Sequence, residues 1–560
     1  MPEIEPAAAN VPAPGRSGWL ADASNSRLGT LCLLFAALQC ALLIGTTWWT
    51  GAVPQMVFGH DVMVLLDGAW KLKWGITPHS DFYSPFGVLT FLVIAVGIDL
   101  TGSLVHAIPA ATCIVALFAL PLALYASFSR LHPLIALAAT IVLIATAVAP
   151  HELRFGSDVW SYAAIYNRWA YPLFGIAMLI MAVRPSEPAG WKDWADGLIV
   201  GSCTLLLIFL KISYGLLAVA LIVGFAPIRL RGRRYWFGVL VSGLAWLLAF
   251  GFLLDWGFGH LLQDMRIAAG ARHGLGPIEL LRWGWSLRAE LVAMSGLALI
   301  WCATGSTVGR AALLRRVIEC GWVFGAFAGS AAAILMTNSP LGHLSETPIA
   351  ELGALVLLGG IVRDLRETGA EAVGPVRPKV LALAGIGLAL VVVLPMTGRN
   401  VVGVAEAAAA KRAGTTLSPA ERFTSGPLEG LQISAFGGDP PLPTTYVGKV
   451  MDGLRLLQRT GNAGRTVAAL DFANPFNVVR GVQPSETAPT CWQLGFLFSP
   501  QSAPPAERVF NGRDVIMVPK RFGDGDQRNL TVMQQLYGSY FSRHYRLAGE
   551  SEQWRLFVPK

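Results

Sequence analysis

Charge is scarce in this sequence: of 560 residues only 14% are Asp, Glu, Lys or Arg, while 54% are hydrophobic. An ordinary water-soluble domain carries about 25% charged residues, so that class is excluded. The charge that exists leans basic, with a formal net value of +8, which would suit a nucleic-acid partner if it were gathered on one face. Instead the arginines fall in short clusters between apolar runs, at 229–234 and 310–316, as cytoplasmic anchors of membrane spans do. No nucleic-acid partner is expected. Cysteine is thin and poorly placed for cross-links. Six of the seven (Cys32, Cys40, Cys113, Cys203, Cys302, Cys320) lie in or beside apolar segments and Cys491 stands alone in the polar C-terminal part. Neither a disulfide framework nor a zinc site is indicated. An internal repeat is also missing, which removes the basis for a transporter built of two related halves.

What the sequence has is apolar runs. Eleven are suited to spanning, near 28–49, 104–127, 133–150, 169–184, 196–210, 212–228, 235–256, 287–304, 317–336, 348–363 and 379–397. Residues 1–27, rich in Pro and Ala, read as a disordered cytoplasmic tail before a retained signal anchor. A twelfth run, Phe86 to Ile98, is about 20 Å long as a helix, short of the roughly 30 Å hydrocarbon core. If it crossed, Arg130, the 184–192 loop and the 229–234 cluster would all lie outside, against the positive-inside bias. It is therefore expected to be a juxtamembrane or re-entrant helix. The 50–103, 151–168, 257–286 and 337–347 loops and the C-terminus then face outward. Trp48, Trp49, Trp160, Tyr162, Tyr166, Trp283 and Trp285 flank those loops, as interfacial aromatics should.

From about Arg399 no spanning run follows, and residues 399–560 suffice for one small domain. "TVAALDF", "DVIMVP" and the pair "YRLAG" and "WRLFV" read as strands, the pair as a hairpin at the sheet edge. "VGKVMDGLRLLQR" and "LTVMQQLYGSYFSRHY" carry helical spacing. The expected fold is mainly α: a polytopic bundle of about 11 spans (28–398) with juxtamembrane helices and a C-terminal extracytoplasmic α/β domain. A multi-pass protein of the inner membrane, its C-terminal domain periplasmic, is the matching location.

The chemistry concentrates in "GHDVMVLLDGAWKLKWGITPHSDFYSPFG", residues 59–87. Met63, Leu66, Trp70 and Trp74 share one helical face, while Asp67, Lys71 and Lys73 lie elsewhere, as on a helix resting on a membrane surface. Asp61 opens this helix, either as its N-cap or as a functional carboxylate. The Asp opening a helix in a first outer loop, the "GAWKLKWG" turn and Asp-Phe before an aromatic-Ser-Pro-Phe-Gly segment together resemble the GT-C class of membrane glycosyltransferases. That class includes protein O-mannosyltransferases, the lipid A aminoarabinose transferase and related lipopolysaccharide sugar transferases. Val62 stands where those families usually have an acidic residue. In "HELRFGSDVWSY" Asp158 takes the position of the class's second carboxylate, or caps a helix over "VWSYAAIY".

The resemblance implies transfer of a sugar from a polyprenyl-phosphate donor to a surface glycan, lipid or protein acceptor. Asp61 would be the general base and Asp158 its helper or a metal ligand. No organic cofactor is called for; a divalent metal stays open. The departing phosphate needs donors, for which Arg266, Arg272, His273 and Lys211 are candidates, with Arg154 and Arg168 as further options. Each arginine also reads as an ordinary solvated loop residue. Lys211, between "LLLIFL" and "ISYGLL", should face a cavity or snorkel to the interface rather than meet membrane lipids. His60, Asp81 and His343 complete the candidate substrate-binding set; His79 and Glu346 lie in the same loops, and Asp81 could equally brace its own turn. Two other readings remain: a surface-polysaccharide polymerase or ligase, and a lipid-linked sugar transporter.

Overall fold

The structure, a computed structural model, describes residues 19–560 apart from 154, 186–189, 230, 273–275, 305–309, 339–345, 368–376, 435–444 and 524–525. Arg154, His273 and His343, like residues 1–18 of the expected tail, lie outside the described residues. The helical part runs α1 (Trp19–Thr50), α2 (His60–Lys73), α3 (Val88–Thr101), α4 (Leu104–Phe128), α5 (Pro133–Val148), α6 (Ile165–Ala182), α7 (Gly190–Leu210), α8 (Ile212–Arg229), α9 (Arg233–Leu253), α10 (Phe258–Ala271), α11 (Pro277–Ser286), α12 (Arg288–Thr304), α13 (Arg310–Asn338), α14 (Pro348–Glu367) and α15 (Arg377–Ala413). Each of the eleven expected spans falls largely on one of these helices. Among the described residues, α1 from Arg27, α4, α7, α9, α13 and α15 are each long and apolar enough to cross a bilayer, and α11 with α12, bent by 83°, makes a seventh. The fold is a polytopic helical bundle.

Ion pairs mark one end of this bundle. Arg130, just after α4, and Arg231, just before α9, both pair with the buried Asp196 near the start of α7. Arg316 of α13 pairs with Asp364 of α14 at 3.1 Å, and Arg366 meets His132 at 2.6 Å. The opposite end carries Lys411 of α15 bonded to the Trp49 carbonyl, and His106 of α4 accepting from the Ala52 N–H at 3.3 Å.

Two glycines fix where α3 packs. A Cβ on Gly87, before α3, would sit 1.9 Å from the Phe209 carbonyl oxygen; one on Gly97 would sit 2.3 Å from that of Ala107. Phe209 is the far end of α7 and Ala107 the first turn of α4, and both belong to the end opposite Asp196. The two ends of α3 therefore rest on one end of the bundle. The helix packs beside α4, where its glycines allow backbone contact, the close approach that membrane helices favour.

The helix α15 does not stop at 398, where the domain boundary was expected, but continues to Ala413. "VAEAAAAK" explains this, since alanine is the strongest helix former. Beyond it come α16 (Tyr446–Arg459), β1 (Val467–Ala469), α17 (Phe476–Arg480), α18 (Ala506–Val509), β2 (Val515–Pro519), α19 (Arg528–His544), β3 (Tyr545–Glu550) and β4 (Trp554–Pro559). The sheet order is β1-β2-β4-β3, parallel between β1 and β2 and antiparallel elsewhere. Trp554, Leu556 and Val558 are buried while Arg555 is exposed, the two-residue period that turns one face of β4 to a core. On the helical side, Val447, Val450 and Leu457 of α16 are buried at helical spacing, and the Thr445 side chain caps α16 by accepting from the Gly448 N–H at 3.0 Å. The result is a small α/β domain with the hairpin at the sheet edge.

The domain sits on the first loop. The Trp70 indole N–H donates to the Val482 carbonyl at 2.8 Å, Lys71 bonds the Ser485 carbonyl, and the Tyr83 hydroxyl donates to the Leu497 carbonyl at 2.6 Å. Here the structure departs from the surface-helix expectation: Asp67 and Lys71 are fully buried. Lys71 turns into the domain instead of into water, while Lys73 stays partly exposed and pairs with Asp99.

Candidate functional site

Asp61 occupies the first turn of α2, not its cap. Gly59 is the N-cap, and among the described residues no side chain caps the helix. The capping explanation is therefore not satisfied, although an acid here gains from the helix dipole. The Asp61 side chain is 26% exposed, and its Oδ1 lies 3.4 Å from His60 Nε2. His60 is buried with its ring edge-on to Phe472 at 4.1 Å between centroids. Burial, helped by the charge of Lys449, pulls its pKa down to about 3, so the imidazole is neutral.

The site centres on Tyr166, in the first turn of α6. Asp61, Arg272 and Glu152 all lie close enough to act electrostatically on its hydroxyl, as does Cys491 of the C-terminal domain. Lys211 places its Nζ 5.2 Å from the Tyr166 ring centre and 5.6 Å from that of Tyr214, and donates to Asn167 Oδ1 at 2.7 Å. Arg272, at the end of α10, donates to the Thr337 carbonyl at 2.7 Å and lies over the Phe496 ring at 5.0 Å. Five separate parts of the chain thus bring two carboxylates and two cations around one tyrosine, at the end of the bundle that the domain covers.

Other candidates have different places. Asp158 is exposed, folds over Gly156 in its own loop, and is not among the charges acting on Tyr166. Nor does it cap a helix over "VWSYAAIY". Trp160 bridges His151, the Ser161 N–H donates to the Pro150 carbonyl, and α6 begins only at Ile165. That loop is held by Arg168, whose buried guanidinium donates to the carbonyls of Ala149 and His151 at 2.5 Å and of Ser161 at 2.7 Å. Arg168 is a loop clamp facing carbonyls, not a phosphate ligand. Asp81 braces its turn by accepting from the Thr77 N–H at 2.6 Å. Arg266 is exposed on α10, and Glu346 pairs with Arg399.

The sequence marks Tyr166 only as an interfacial aromatic and does not single out Glu152; the available signal is the polar "IYNRWAY" opening an apolar helix. Asp264, fully buried, joins His79 at 2.9 Å and Arg508 at 2.8 Å, tying the first loop, α10 and the domain together. Among the described residues, no group of three or more His, Cys, Asp or Glu side chains is arranged to hold a metal ion. Asp61 and His60 alone do not make such a site.

Fold and site define a class: a polytopic helical membrane protein whose C-terminal α/β domain covers a charged interfacial cluster. Among solved structures, the chain is similar to two crystal structures of ArnT from Cupriavidus metallidurans, one in the apo state and one bound to undecaprenyl phosphate. Each is 11% identical, with a TM-score of 0.44, over 93% of this chain and 97% of that chain. No protein-family model and no curated protein matches the sequence.

Proposed function

We propose that this protein is a membrane glycosyltransferase that moves a sugar from a polyprenyl-phosphate donor to an acceptor hydroxyl on the extracytoplasmic side. The observation that carries the reading is the meeting of Asp61, Tyr166, Lys211 and Arg272 beneath the C-terminal domain. This cluster lies at the end of the bundle that the domain covers, where a lipid phosphate at the membrane surface would meet it. The first-loop resemblance to the GT-C class supports the same chemistry.

In this reading the acceptor oxygen attacks the anomeric carbon while its proton passes to the Asp61 carboxylate. The bond from that carbon to the phosphate oxygen breaks, and its electron pair leaves with the lipid phosphate. Arg272 and Lys211 face the charge that accumulates there, the Arg through a fork of donors matched to phosphate oxygens. Tyr166, within electrostatic reach of Asp61 and Arg272 and beside Lys211, would orient the reacting groups. The membrane supplies the donor laterally, and the domain keeps water from the cluster.

The test is Asp61→Asn in cells and in membranes. Surface glycans and lipid-linked sugars are compared by mass spectrometry with those of cells lacking the protein. The expected result is accumulated donor beside a truncated product, with transfer reduced by about 10²–10⁴-fold, the usual yield of a positioned general base, and unchanged melting. Wild-type transfer by the variant would remove the assignment.

A further inference from the structure

Directly behind Asp61, the side chain preceding it in sequence is not aimed at the cluster around Tyr166 but wedged into the C-terminal domain. A Cβ on Gly59 would meet Ile433 Cγ2 at 2.3 Å, so the start of α2 is pressed against the chain that follows α15. His60 then fits between Phe58, at 6.3 Å and 82°, and Phe472, at 4.1 Å and 72°. The position of Phe472 is itself fixed. Its neighbour Asp471 accepts from the N–H groups of Phe472 at 2.9 Å and Gly523 at 2.6 Å, and pairs with the buried Lys449 at 2.6 Å. Lys449 in turn donates to the Arg521 carbonyl at 2.9 Å and lies over the Trp554 ring at 4.9 Å. A built polar core of the domain therefore ends in the Phe472 ring, which meets the His60 ring in an edge-to-face contact, while Nε2 of that imidazole faces Asp61.

We infer that His60 is a positioning residue for Asp61: its Nε2–H holds the carboxylate, and the C-terminal domain holds His60. This rests on the reading of Asp61 as the base. The 3.4 Å separation is long, as such contacts are before substrate binds, when they have yet to tighten. A neutral donor suits the task. An imidazolium would neutralise Asp61 and weaken it as a base, whereas a neutral N–H fixes the orientation of the carboxylate and leaves its charge. Burial and the charge of Lys449 keep the ring neutral. The domain thereby gains a role beyond cover: it sets the geometry of a residue on the membrane side of the interface.

The experiment compares wild type with His60→Gln, whose amide can replace the Nε2 donor, His60→Leu, which cannot, and Phe472→Leu, which loosens the seat. The full-length protein in detergent is treated with a water-soluble carbodiimide from pH 4 to 8. Modification of Asp61, which requires the protonated acid, is followed by peptide mass spectrometry, and melting is recorded alongside. Transfer is measured in membranes with lipid extract from cells lacking the protein as donor source. Expected for His60→Leu is a labelling profile displaced to higher pH, about tenfold faster labelling at pH 6 and about tenfold lower kcat with KM within twofold. His60→Gln should stay within threefold of wild type, and Phe472→Leu should move in the same direction as His60→Leu. An unshifted labelling profile in His60→Leu overturns the inference, as does equal loss in the Leu and Gln variants together with lowered melting. A shifted profile combined with an Asp61→Asn variant of normal transfer sinks the catalytic reading and leaves the positioning contact standing.

Discussion

The loop clamp at Arg168 gives the most exacting test, because the sequence offered that residue as a phosphate ligand and the structure makes it a brace. Its buried guanidinium donates to three carbonyls at 2.5, 2.5 and 2.7 Å. Hydrogen bonds to a charged group contribute about 1.5–3 kcal/mol each. Allowing some water to reach the freed carbonyls, Arg168→Met should lower the opening free energy of residues 149–163 by about 5 kcal/mol. Each 1.4 kcal/mol is a factor of about ten, so amide exchange there should accelerate by roughly three to four decades. The reporters are the N–H groups of Ser161, Tyr162 and Ala163, bonded to the Pro150 carbonyl, Gln55 Oε1 and Ser161 Oγ. Hydrogen exchange with mass spectrometry in detergent reads them directly. If exchange stays within tenfold of wild type while polyprenyl-phosphate binding is abolished, Arg168 serves the phosphate and the clamp argument is wrong.

Two further outcomes follow from buried charge. Asp67 is fully buried with no hydrogen-bond donor to either oxygen among the described residues, and burial, partly opposed by Lys71, raises its pKa to about 7. The unfolded value is about 3.9, so between those limits the folded protein holds a proton that the unfolded chain releases. Stability should fall as pH rises through about 7. Asp67→Asn should remove most of that fall, seen as a melting difference between pH 5 and pH 8 that shrinks in the variant. An unchanged difference would mean that other groups, Lys71 on α2 itself or Asp81, Glu486 and Asp514 around it, set the pH response. Separately, Lys211→Met should weaken binding of a polyprenyl phosphate about tenfold by native mass spectrometry, with normal melting. Equal binding would detach Lys211 from the donor site.

Periodicity made the architecture legible. The helices, the short α3 among them, and the strands of the domain follow from spacings of 3.6 and 2 residues, from run length and from the distribution of arginine. The assembly of Asp61, Lys211 and Arg272 was legible only as separate loop residues, because nothing local says that residues 61, 211 and 272 meet. Long-range packing decides that, and it also decided the errors. The polar face of α2 reads as water-facing because amphipathicity reports that a face is polar, not what covers it; here the domain covers Lys71, which bonds the Ser485 carbonyl. "VWSYAAIY" looked helical, but the Arg168 clamp and the bridge from His151 to Trp160 draw its first half into extended backbone.

The depth of the cluster has its own physical cause in the connection between α7 and α8. One residue, Lys211, separates Leu210 from Ile212, so the hairpin between two apolar helices has no loop with which to rise into water. Its tip is held at the level where the apolar segments end, and a lysine fixed there must find polar company within the protein rather than reach for bulk solvent. It finds Asn167 and the rings of Tyr166 and Tyr214. Thr90, near the start of α3, bonds the Leu210 carbonyl at 3.0 Å and ties that helix to the same tip. The short connection therefore does more than join two helices. It sets the height of a cation, α3 roofs that height from the side, and α2 brings Asp61 down to it beneath the domain. A longer loop between α7 and α8 would free Lys211 to leave. Inserting Gly-Ser-Gly after Lys211 should accordingly weaken polyprenyl-phosphate binding as much as Lys211→Met does, with the lysine still present.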